Sequence, residues 1–221
     1  MHSNFKPHDK SQRLDIPLRA IFPEYYSKNF LVRWLFSKRL YVAIEYLRKI
    51  NPDTLIDIGC GDGYFINLIN NQGLRLKKIW GIDLNPNVVQ LNNQINNCFF
   101  KHQNILKTDF PEQMFDVAVC ADILEHVEKI EKAIVEIRRI LAPHSYLITS
   151  APVESVIYKS LRFLLKGTYS QESGPNAGKH YYNAKQIDNI IRRKGFIRVL
   201  SKKIPFYAPF DLFHLNLYQK I

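Results

Sequence analysis

The 221-residue chain has few cysteines, few acidic residues and no long hydrophobic run. Each shortage closes off a class of protein. The three cysteines, Cys60, Cys98 and Cys120, are far apart, which excludes the paired spacing of a zinc site. They lie in apolar stretches and are expected to be free thiols in a reducing compartment. The most apolar stretch near the N-terminus, NFLVRWLFSKRL, is interrupted by Arg33, Lys38 and Arg39. It is too short and too charged to span a bilayer, and no signal-peptide pattern precedes it. A soluble cytoplasmic protein is expected, with peripheral contact at a membrane left open. No internal repeat or low-complexity tract is visible.

Acidic residues number 20 against 31 Lys and Arg, giving a net charge of +11. From Arg138 to the end there are 14 basic and 4 acidic residues, so nearly all of the excess lies there. A field of that sign attracts phosphorylated substrates, nucleic acid or an anionic membrane surface, without choosing among them. It equally serves solubility.

What is present is enough for one filled core: 46% of the residues are hydrophobic, in a chain too short for two full enzyme domains. Residues 1–27 are polar and aperiodic and read as an arm; residues 28–221 read as a single domain. Asn29 to Ile50 repeats apolar residues three and four apart (Leu31, Leu35, Leu40, Ile44, Leu47), which predicts an amphipathic helix. The chain then alternates. TLIDI, KIWGIDL, CFFK, FDVAVCA and SYLITSA read as strands. YFINLINNQ, NPNVVQLNNQ and the stretch marked by Ile130, Ile134, Ile137 and Leu141 read as the helices between them. Strand alternating with helix predicts parallel strands in an open α/β sheet with helices on both faces. Asn183 followed by Gln186 resembles a capping box opening the helix AKQIDNIIRRK. FIRVLSK and DLFHLNLYQ read as two final strands. The basic amphipathic stretch SVIYKSLRFLLKG falls in a segment, 152–180, that suits an acceptor-side insert or lid, a lipid-facing helix, or an ordinary packed helix.

DIGCGDG, Asp57 to Gly63, directly follows the first strand. Glycines there let the backbone approach a ligand closely before a helix whose N–H groups face it. The third glycine comes two residues after the second rather than three, which departs from the dinucleotide fingerprint. Asp83 ends the second strand, where an acid can accept both ribose hydroxyls. Alternatively, DLNP only caps the next helix.

LIDIGCGDGYF, GIDLNP, DFPEQMFDVAVCADILEHV and RRILAPHSYLITSAP resemble, in order and spacing, the successive motifs of class I S-adenosylmethionine-dependent methyltransferases. The likeness covers roughly Asn29 to Gly195. It implies a Rossmann-like, doubly wound, seven-stranded and mostly parallel sheet with a reversed last strand. It also implies S-adenosylmethionine as cofactor. Gly59 and Gly61 would then line its methionine end with Cys60, and Asp57 would orient the amino group. Asp83 would hold the ribose, and Leu84 would lie against the adenine. Asn104 stands where the family usually has Asp at the adenine amine; its amide oxygen can still accept that bond. Ile105 and Ala121 complete the implied cofactor contacts.

ADILEHV follows the fourth strand, on the edge where ligands of open α/β sheets bind. The Asn/Asp-Pro-Pro-aromatic motif of base-amine methyltransferases is missing there, which argues against base-amine methylation. LEHV resembles instead the ubiquinone-pathway O-methyltransferases. Asp122 and His126 are therefore the candidate catalytic residues. In that subset and in the small-RNA 2′-O-methyltransferases, an acid-x-x-Glu-His pattern can hold a divalent metal, which makes Asp122, Glu125, His126 and the later His180 candidate ligands. A metal would lower a hydroxyl's pKa; without one, His126 can act as a general base near neutral pH. In the bland reading, Glu125 caps a helix beginning near Val127 and His126 merely packs.

The expected activity is O-methylation of a small-molecule, lipid-linked or sugar acceptor. An RNA 2′-O-methyltransferase and a non-catalytic scaffold on the same cofactor fold are the alternatives.

Overall fold

The computed structural model describes residues 28–92, 97–153, 179–205 and 211–221. The expected arm at 1–27 and the expected basic helix SVIYKSLRFLLKG lie outside them. Seven strands form one sheet: β1 (Thr54–Ile58), β2 (Lys78–Asp83), β3 (Cys98–His102), β4 (Phe115–Ala121), β5 (Leu141–Pro152), β6 (Phe196–Ile204) and β7 (Phe213–Lys220). Their order is β3-β2-β1-β4-β5-β7-β6. The first five run parallel, and β7 is antiparallel to both β5 and β6. The expected sheet with its reversed last strand is thus the observed one.

Successive residues of a strand point to opposite faces, and here both faces are apolar. Leu55, Val117, Val119, Leu215 and Leu217 join one buried cluster with helices α1 (Phe30–Ile50) and α2 (Tyr64–Asn71). Ile56, Ile58, Ala118, Cys120 and Tyr218 join the other with α3 (Ile130–Ile140) and α4 (Ala184–Arg193). All three cysteines are buried free thiols. The Asn183–Gln186 capping box that opens α4 is complete on both sides. Among the described residues no helix is long and apolar enough to cross a membrane.

The stretch after β2 differs from expectation. Asn85 caps it and Pro86 starts it, but only a 3-10 helix forms, Pro86–Leu91. The Asn92 side chain then accepts from Phe100 N at 2.7 Å and donates to Phe100 O at 2.9 Å. This pulls the chain toward the edge of β3 and ends the helix.

Strand order turns back on either side of β1: β2 and β3 lie on one side, β4 and β5 on the other. Ligands of such sheets bind beyond the carboxyl ends of the strands at this point of reversal. One polar network ties the chain between β3 and β4 to α3. Glu136 on α3 accepts from Thr108 N at 2.8 Å and Thr108 Oγ at 2.6 Å, and from Arg139 at 2.7 and 2.9 Å. Arg139 also donates to Phe110 O at 2.8 Å. The loop after β3, which carries Asn104 and Ile105, is so tied to α3.

Arg139 first, then Thr108, hold the Glu136 carboxyl down to about 2 against the opposing effect of burial. A lowered folded-state value stabilises above the ordinary glutamate range, and that stabilisation is lost as pH falls toward about 2. Glu136→Gln is expected to cost about 1–3 kcal/mol at neutral pH and clearly less near about pH 3. Urea unfolding of both proteins at the two pH values measures the difference.

Candidate active site

The turn after β1 is built on backbone that only glycine tolerates well. Gly59, Gly61 and Gly63 have φ of 74°, 55° and 73°. Gly59 N and Cys60 N donate to Ile82 O at 2.7 and 3.1 Å, which ties the turn to the end of β2. Gly61 N donates to Asp83 Oδ2 at 2.9 Å, and Asn85 N to Asp83 Oδ1 at 2.8 Å. Each oxygen of an ionised carboxylate can accept a second bond, so Asp83 retains capacity for hydroxyl donors. Through Asn85 N the same side chain also braces the chain entering the 3-10 helix.

Asp57 is buried on β1, 3% exposed. Burial first, and the neighbouring Asp83 second, push its carboxyl up to about 8. Burial likewise pushes the Cys60 thiol up, so Cys60 is no nucleophile here. Leu84 is a large apolar side chain left 65% exposed beside Asp83. Ile105 is buried, and Asn104 Oδ1 accepts from Leu106 N at 2.9 Å within its own loop. A bare glycine turn, two adjacent carboxyls and an exposed leucine fit the parts of S-adenosylmethionine: a cationic amino group, a ribose diol and an adenine face.

Beyond β4 the chain kinks. Ala121 is the last strand residue, and Asp122 takes the left-handed conformation, φ 55°. The kink drops Ile123 onto the glycine turn: a Cβ on Gly59 would collide with Ile123 Cδ1 and Cγ1. Leu124–His126 form a single 3-10 turn, and α3 starts only at Ile130. Glu125 therefore does not cap a helix beginning near Val127. It is buried, 1% exposed, and its main-chain oxygen accepts from Tyr181 N at 2.8 Å. His126 Nδ1 lies 3.3 Å from Lys179 O, and its ring meets that of His180 edge to face at 4.6 Å between centroids. Tyr182 Oη donates to Glu128 O at 2.9 Å. Residues 179–182 are thus docked on the turn after β4.

Glu125, His126 and His180 each offer a ligand atom, all within 4.8 Å of one another. Asp122, the fourth sequence candidate, is not in this group. Its carboxylate pairs with the Arg39 guanidinium on α1 and accepts from Ser150 Oγ at 2.9 Å. Arg39 and Ser150 were not apparent as site residues from the sequence. A signal was there: Arg39 falls four residues after Leu35 and four before Ala43, a charge on the buried stripe of α1.

A carboxyl raised on folding stabilises only below its unfolded value, and that contribution is lost as pH rises toward about 8. Asp57→Asn is therefore expected to raise the melting temperature of the ligand-free protein by several degrees near about pH 8.5, and by less near about pH 5. Scanning calorimetry at both values measures it.

The profile of the family described as "Methyltransferase domain" matches residues 32–201. The chain is 25% identical over 122 residues to the ubiquinone biosynthesis O-methyltransferase of Rickettsia typhi, covering 50% of this chain and 48% of that one. It is 25% identical over 107 residues to the small RNA 2′-O-methyltransferase of Arabidopsis thaliana, covering 43% of this chain and 11% of that one. The chain thus spans at most about half the length of these two relatives. Among solved structures, the N-methyltransferase NodS of Bradyrhizobium japonicum in complex with S-adenosyl-L-homocysteine superposes with a TM-score of 0.66 at 18% identity. That match covers 92% of this chain and 94% of the other, and establishes the fold. By the extent of the profile match, joined to a glycine turn, Asp83 and the sheet order, this chain belongs to the methyltransferase-domain family, with the class I S-adenosylmethionine-dependent fold.

Proposed function

We propose that the protein transfers a methyl group from S-adenosylmethionine to a hydroxyl oxygen of a small-molecule, lipid-linked or sugar acceptor. The observation that carries this reading is the grouping of Glu125, His126 and His180 just past the end of β4. S-adenosylmethionine supplies an electrophilic methyl on a sulfonium, so the transfer is an in-line displacement. What the protein must do is align the acceptor and manage one proton.

Asp83 would bind the ribose hydroxyls, Asp57 the amino group, and Leu84 and Asn104 the adenine, with Gly59, Cys60, Gly61, Ile105 and Ala121 shaping the cradle. A carbonyl oxygen can only accept, so the contact with Lys179 O assigns the proton of a neutral His126 ring to Nδ1. Nε2 would then be the ring nitrogen to take the hydroxyl proton as the oxygen attacks. Glu125 and His180 would hold the ring and the acceptor. Two imidazoles and a carboxylate also suit a divalent cation, which would polarise the hydroxyl in the same place. Loss of activity on chelation supports that variant.

The basic C-terminal part and the likeness to a small-RNA enzyme favour RNA as the second acceptor class. Methylated product that is destroyed by ribonuclease, with binding that weakens steeply with salt, separates it from a small molecule.

Isothermal titration is expected to show S-adenosylmethionine binding to the protein, weakened at least about tenfold by Asp83→Ala, equal to about 1.4 kcal/mol. No binding by the unaltered protein contradicts the reading. With labelled S-adenosylmethionine and fractionated cell extract, His126→Ala is expected to lower transfer about 10²–10⁴-fold while cofactor affinity stays within about threefold.

A further inference from the structure

Arg39 is a guanidinium in the protein core, 2% exposed, on α1. Two aromatic rings, themselves in edge-to-face contact at 5.4 Å, lie against it: Phe36 at 4.8 Å and Phe213 at 4.5 Å from the guanidinium carbon to the ring centroid. Its ion-pair partner is Asp122, whose carboxylate also takes the Ser150 hydroxyl and whose N–H donates to Ser150 O at 3.1 Å. Burying a guanidinium is costly, and a hydrophobic residue of similar volume would often serve stability as well or better. The pair sits where the chain kinks out of β4.

The consequences of that kink run to both halves of the site. One residue on, Ile123 closes over Gly59 of the cofactor turn. Three and four residues on, Glu125 and His126 receive the docked segment 179–182. A non-glycine residue in the left-handed conformation is held there by its surroundings, and Arg39 and Ser150 hold Asp122.

Resting on the reading above, we propose that Arg39 is a positioning residue for methyl transfer. It acts through Asp122, and sets the turn that places Ile123 against the cofactor loop and His126 against the acceptor. Asp122 then serves as the anchor of the turn rather than as the base. Phe36 and Phe213 aim the guanidinium, and α1 becomes part of the catalytic machinery.

The test uses Arg39→Met, which keeps a chain of similar length against the two rings, Asp122→Asn, which keeps the shape of the side chain, and the double variant. Native-state hydrogen exchange is expected to accelerate at least tenfold at the Asp122 and His126 amides in Arg39→Met, while amides of β1 and β4 stay within threefold. With the extract fraction methylated by the unaltered protein, kcat is expected to fall at least tenfold, and KM for S-adenosylmethionine to change less than threefold. Because Met removes the Arg39 charge that faces the Asp122 carboxylate, adding Asp122→Asn is expected to restore part of both the protection and kcat. A folded Arg39→Met with unchanged exchange at these amides, unchanged kcat, or losses that simply add in the double variant overturns the proposal. If no fraction is methylated by the unaltered protein, the activity reading fails on its own, and the exchange measurement still decides the coupling.

Discussion

Gly59 has no Cβ, and Ile123 fills the space one would take. That contact is the constraint on which the two halves of the site depend. The turn after β1 and the turn after β4 come from strands that are neighbours in the sheet, and they touch at this glycine. Any other residue there would meet the Ile123 side chain while being forced into a left-handed backbone, so the contact and the conformation demand glycine together. The turn after β1 and the turn after β4 are thereby packed against each other. Methyl transfer needs such packing, because the nucleophile, the methyl and the sulfur must stay in line.

Charge is arranged around the same contact with unequal tolerance. Asp57 and Asp83 are close enough that one raises the other, and burial adds to it, so Asp57 costs the ligand-free protein stability at alkaline pH. A cationic ligand group beside it would relieve that cost, as the proposed cofactor site requires. On the other side of Ile123, Asp122 is matched to Arg39 within the protein itself. Asp57 lies buried beside another acid and Asp122 beside a base, although in the sequence both are an Asp at or near the end of a strand.

That difference marks where sequence reading reaches and where it stops. Alternating apolar runs and helical stripes identified all seven strands and α1 to α4, since both periods follow from backbone geometry alone. The 3-10 helix at Pro86–Leu91 was longer in expectation, because the side-chain clamp of Asn92 on Phe100 is a long-range contact. The glycine turn and Asp83 were legible from their position after strands. The partners of ADILEHV were not: Arg39 lies 83 positions before Asp122 in sequence, and Lys179 lies 53 after His126. The unusual place of Arg39 on an apolar stripe was visible, but its partner was a matter of tertiary packing.

The family's fold accommodates oxygen and nitrogen acceptors alike, as the O-methyltransferase and N-methyltransferase relatives illustrate. The central claim is therefore that this chain's histidine-bearing turn serves a hydroxyl. The most direct measurement is carbon NMR of the product formed from S-adenosylmethionine labelled with ¹³C at its methyl, incubated with the protein and cell extract. A methoxyl resonance on a ribonuclease-resistant product is the result the account predicts; an N-methyl or S-methyl resonance would contradict it.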